Sequence, residues 1–257
     1  MLRSIDGGRR AERTLDAGGA LEEFLAERSA HRDELVTALV VAEVLASFLL
    51  ESGLAGDSAD EDDDAPPGPE ALADVPAARL ARAAGPCLEL FPYQCVVTGT
   101  VLERLRPGMH ALVAWLVARG AATPADRRAF ERAARHAAPA LDRQLRLQRA
   151  IEALDPPVVR AGSGERIVGH FLVLASDPRR LELGPPDGAE TYRVLLPAQL
   201  PERFPAGSVA GFALAGTALG CLPLAATLPI RPTALESLLD DCLGPLEREA
   251  RGPAPAR

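Results

Sequence analysis

Six arginines on one predicted helix are the residues of this chain best spaced to do chemistry. Between Pro124 and Leu154 the apolar side chains Phe130, Ala134, Ala137, Leu141 and Leu145 recur at helical spacing. At 100° per residue, Arg128, Arg132, Arg135, Arg143, Arg146 and Arg149 fall in a sector of about 120° on the opposite side. A ridge of guanidinium groups can bind anions: nucleic-acid phosphates, the carboxylates of an acidic protein, or a membrane surface. The ordinary alternative is a solvated helix face, the usual place for charge on a surface helix. Glu131 and Asp142 sit at the sector's edge and dilute it. Pro139 is expected to kink or split the helix and rotate the two arginine groups apart.

Composition tempers the ridge. There is no Lys and no Asn, so all 28 positive side chains are Arg. Together with scarce Ile, Tyr and Met, this reads as the codon economy of a GC-rich genome. The usual weight of Arg over Lys is therefore discounted. The same absences exclude a P-loop lysine, a Schiff-base lysine, a glycosylation sequon and a Cys-His-Asn triad. A net charge of −8 argues against a whole surface built to grip nucleic acid or anionic lipid. Aromatic residues make up only 4%, which leaves few platforms for stacking unpaired bases.

The other reactive side chains are dispersed. Cys87, Cys95, Cys221 and Cys242 have no C-x-x-C spacing and read as reduced, mostly buried thiols. His31, His110, His136 and His170 include no H-E-x-x-H pair, and none stands next to a cysteine in sequence. Cys95 and His110 could form a thiolate pair, but Cys is far more often a small buried hydrophobe. Gly162-Ser163-Gly164 lacks the glycine at 161 of a nucleophile elbow and the lysine of a phosphate loop. Glu43, alone in an apolar stretch, is expected to turn toward a wet helix edge. No catalytic set, metal site or cofactor site is read.

These residues must be positioned by the following elements. Residues 20–52 read as helix, broken near Ser29 to Asp33, either of which could cap a second segment. In that segment Asp33, Thr37, Glu43, Ser47 and Glu51 form one stripe opposite Leu35, Leu39, Leu49 and Leu50. Residues 54–69, with six acidic and no basic side chains, are expected to be a disordered loop. Asp57 to Asp64 could fold back on the arginine ridge. Ala71 to Ala84 reads as a short helix, Cys95 to Thr98 as a strand, and Arg106 to Gly120 as a helix. Thr123-Pro124-Ala125-Asp126 opens the arginine helix with a cap, a first-turn proline and an acid three residues on.

After a linker at 156–165 the rhythm becomes that of strands: RIVGHFLVLAS, RRLEL and TYRVLLP, with a turn at Pro185 to Gly188. The apolar stretch 206–230 reads as two buried strands, an apolar helix being its competitor. Thr233 to Glu236 spells a capping box for a final helix.

The expected fold is α+β: a helical region over 1–155, then a small β-barrel or sandwich over 166–257 closed by a C-terminal helix. No secretory or twin-arginine signal is read in the first residues, so a cytoplasmic protein is expected. Its expected role is a non-catalytic adaptor or regulator that binds a protein partner. Nucleic-acid or polyanion binding through residues 124–154 is one alternative. Membrane attachment through 35–54 or 206–230 is another.

Overall fold

The computed structural model describes residues 15–54, 72–153, 166–185, 191–196, 200–217 and 220–250. The acidic segment from Ala55 onward, the 156–165 linker, the Gly162-Ser163-Gly164 triplet and the turn at Pro186 to Gly188 lie outside those residues.

Capping sets the first helices. Asp16 accepts a 2.7 Å hydrogen bond from the Gly19 amide and opens α1 (Ala17–Arg28), ahead of the glycine pair rather than after it. The chain breaks at Ser29 to His31 and resumes as α2 (Arg32–Glu51). His31 occupies the cap position there without a side-chain bond, and neither Ser29 nor Asp33 serves as the cap. Ala38, Val41, Ala42, Leu45, Ala46 and Leu49 form the buried face of α2. Leu39, expected on that face, is 48% exposed, while Glu43 does lie on the wet side.

The next helix departs from its local signals. α3 (Ala78–Gln94) runs on through Pro86 and Pro92. Each proline removes a ladder hydrogen bond and crowds the preceding turn. Burial offsets that cost, because Leu80, Ala84, Cys87, Leu88 and Phe91 all point into the core. Cys95 to Thr98 is extended but pairs with no strand among the described residues; it is the connection to α4 (Gly99–Ala118). Gly120, at φ +71°, sits just past α4 in the left-handed conformation that ends many helices. The Thr123/Asp126 capping box then starts α5 (Pro124–Glu152) as expected. Pro139 does not split α5, which is one helix of 29 residues.

The second half is a closed barrel of β1 (Arg166–Asp177), β2 (Arg180–Gly184), β3 (Tyr192–Leu195), β4 (Val209–Thr217) and β5 (Gly220–Ala226). The order around it is β1-β2-β3-β5-β4; β3 and β5 are parallel and every other pair is antiparallel. Thus the apolar stretch 206–230 forms strands, not a helix. Ala213 pairs with Ala225 and Leu214 with Pro223, so Leu224 is an extra residue, a bulge beside a proline that has no N–H to give. Phe171, Val173, Leu181, Leu183, Val194 and Phe212 fill the interior.

The last helix, α6 (Pro232–Ala250), leaves the barrel and lies on α3, where Leu246 joins the helical core. Its expected capping box does not form: Thr233 is already the second helical residue, and its carbonyl accepts from Ser237 Oγ at 3.0 Å. The fold is α+β. No helix among the described residues is long and apolar enough to cross a membrane.

α5 serves both halves. Phe130, Ala134, Ala137 and Leu141 belong to the helical core, whereas Leu147 and Ile151 belong to the barrel core. Buried glutamines mark the junction. Gln144 Nε2 donates to the Cys95 carbonyl at 3.0 Å, and Gln148 Nε2 donates to the carbonyl of the bulged Leu224 at 3.2 Å. Glu152 accepts from the Gly99 amide at 2.8 Å and so satisfies a free donor at the start of α4.

Candidate functional site

The arginine ridge exists as the spacing predicts. Arg128, Arg132, Arg135, Arg143, Arg146 and Arg149 are all exposed along α5. Two are engaged: Arg143 makes a bidentate pair with Glu202 at 2.9 and 2.6 Å, and Arg149 pairs with Glu103 at 2.5 Å. Arg128, Arg132, Arg135 and Arg146 have no acidic partner among the described residues. Glu131 is held by Arg127 at 2.9 Å, which leaves Asp142 as the uncompensated acid on this side. These four guanidinium groups run from Arg128 to Arg146, 18 residues further on, about 27 Å along the helix.

Beside the ridge, α4 and α5 enclose an open groove of about 840 Å³. Leu102, Ala134, Ala138, Leu141 and Leu145 make its apolar floor, and Arg106 and Arg135 stand on opposite walls. His110 sits in it, edge-on to Phe130 with ring centroids 4.8 Å apart. Burial, followed by the positive charge of Arg106, lowers the His110 pKa from its ordinary value. Sequence reasoning missed Arg106 and gave His110 another partner. The signal available was only their i, i+4 spacing.

A second cleft, of about 730 Å³, is bounded by α2, α3, the extended 95–98 connection, the start of α6, and the barrel through His170 and Val209. It is mostly apolar, with Glu43, Ser47 and Glu51 along one side. No local pattern announces this cleft, because its walls come from chain segments nearly 200 residues apart.

The thiols are unsuited to nucleophilic work. Burial, then the charge of Glu51, pushes Cys95 up to about 12. Cys242 is likewise pushed up to about 12, by burial and then by its 3.4 Å contact with Glu89. Burial raises Cys221 as well, and Cys87 well above the usual thiol range. Cys95 and His110 line different clefts, so the thiolate pair does not form. Glu89 also meets His136 Nδ1 at 2.9 Å, so its carboxylate lies between thiol and imidazole. Among the described residues no group of three or more His, Cys, Asp or Glu side chains could hold a metal ion.

The barrel face of β2 and β3 presents Arg180, Glu182 and Arg193, the first two paired with each other. Its aromatic side chain, Tyr192, is half-buried and edge-on to the interior Phe171. Comparison with known proteins gives no match: no family model, no curated protein and no solved structure resembles the chain.

Proposed function

We propose that this chain is a non-catalytic cytoplasmic adaptor that docks an acidic segment of a protein partner on the exposed face of α5. The observation that carries the reading is the set of four arginines, Arg128, Arg132, Arg135 and Arg146, aligned and without counter-ions among the described residues. The adjoining α4–α5 groove supports a protein partner over a bare polyanion. An amphipathic acidic helix could lay apolar residues on Leu102, Leu141 and Leu145 while its carboxylates meet the ridge. The low aromatic content, 4%, favours the same choice, since few platforms are left for stacking unpaired bases.

Fluorescence anisotropy of a labelled acidic peptide against an oligothymidine of equal charge tests it. The peptide is expected to bind at low salt, to weaken as salt rises, and to be lost in an Arg128→Ser/Arg132→Ser/Arg135→Ser/Arg146→Ser variant. Unchanged peptide binding in that variant would sink the proposal. Tighter binding of the oligonucleotide would replace it with the nucleic-acid reading.

A further inference from the structure

The second cleft is independent of the α5 face and has the opposite charge. Its volume of about 730 Å³ falls in the range, roughly 300–1,000 Å³, that encloses a small organic ligand. Val44 and Phe48 of α2, Leu90 of α3, Val97 of the connection, and Leu235 and Leu239 of α6 give it apolar walls. Leu235 and Leu239 are only half-buried, whereas Cys242 and Leu246 further along α6 are buried where the helix lies on α3. The uncovered end of this apolar helix face therefore opens into the cleft.

Glu43, Ser47 and Glu51 are spaced four residues apart and so stack along one side of α2 at the cleft's edge. Neither carboxylate has a partner among the described residues. Among the described residues no arginine lines the cleft, and His170 is its sole basic side chain. The charge of Glu51 is felt inside, where it adds to the effect of burial on both Cys87 and Cys95.

We infer that this cleft binds a small cationic amphiphile: an amine or quaternary ammonium head held by Glu43 and Glu51, on an apolar body packed against Leu235 and Leu239. The two carboxylates lie eight residues apart, about 12 Å along the helix, so a head group between them is within reach of both. Their charge selects against a fatty-acid anion.

Isothermal titration calorimetry on the full chain, with decyltrimethylammonium, decanol and decanoate below their micelle concentrations, provides the test. The ammonium compound is expected to bind at least about tenfold tighter than the alcohol, with decanoate weakest. A Glu43→Gln/Glu51→Gln variant, which keeps the side-chain volumes, is expected to bind ammonium and alcohol equally. Leu239→Trp is expected to narrow the cleft and weaken both; the charge variant decides the matter even if this one fails to fold. The inference is overturned if wild type binds none of the three, if ammonium and alcohol bind alike, or if the charge variant keeps the preference. A basic amphipathic peptide that displaces the ammonium at lower concentration would also overturn it and give the cleft to a protein partner.

Discussion

Gly108, in the middle of α4, sets two physical effects against each other. Helix propensity alone favours Gly→Ala by roughly 0.8–1.0 kcal/mol. A Cβ at this position would overlap Val41 Cγ2 and stand 2.9 Å from Thr37 Cγ2 and 3.3 Å from the Thr37 carbonyl. Val41 is fully buried and cannot swing aside. Thr37 is also held, since its hydroxyl donates to the Asp33 carbonyl at 2.8 Å and accepts from Arg104 at 3.0 Å. Relief therefore requires moving α2 away from α4, and overpacking of this kind costs about 1–3 kcal/mol. The net expectation for Gly108→Ala is a loss of up to about 2 kcal/mol, with a Tm lower by roughly 2–4 °C per kcal/mol for a chain of this size. Gly244→Ala in α6 is the control. There the Cβ meets only the flexible end of Arg248 at 3.4 Å, so propensity should prevail and add about 0.5–1 kcal/mol. Urea unfolding followed by far-UV circular dichroism measures both. Should Gly108→Ala prove as stable as Gly244→Ala, the α2–α4 contact is not the close crossing described.

Other expectations follow from the same interactions. Because all four thiols are shifted upward, the native protein should react with iodoacetamide far more slowly than free cysteine at mildly alkaline pH, and fully once unfolded; rapid native labelling of Cys95 or Cys242 would contradict this. The lowered pKa of His110 means that, as pH falls below its ordinary value of 6.5, the unfolded chain takes up a proton that the folded chain resists, so stability declines. His110→Phe should flatten that part of the stability–pH curve, and an unchanged slope would remove His110 from the account. Replacing Glu152 by Ala leaves the Gly99 amide and one Gln148 contact unpaired, at a cost of about 1–3 kcal/mol and with faster hydrogen exchange at Gly99; protection equal to wild type would contradict this. Singly, Arg128→Ser, Arg132→Ser and Arg146→Ser should each change stability by less than about 0.5 kcal/mol, since these side chains are exposed and have no acidic partner among the described residues. A larger loss in thermal unfolding would reveal a structural role for the ridge.

What the sequence by itself determined is what neighbouring residues settle among themselves. The Thr123/Asp126 box, the break between Arg28 and Arg32, the stop at Gly120 and the strand rhythm after Arg166 all depend on hydrogen bonds and sterics within a few residues. Periodicity likewise placed the six arginines on one exposed face and Glu43 on a wet edge. Tertiary structure decided the rest by outweighing local preference or by bringing remote segments together. Burial of Leu88 and Phe91 carries α3 through two prolines that would end an isolated helix, and α2 turns Leu39 to solvent because the stripe its neighbours cover runs through Ala38, Val41, Ala42, Leu45, Ala46 and Leu49. The apolar face of α6 was legible, but its landing on α3 was not, and neither was the cleft that α2, α3, α6 and the barrel enclose. A hydrophobic stripe specifies that a face must be covered; only the packing of the whole chain specifies what covers it and where an opening is left.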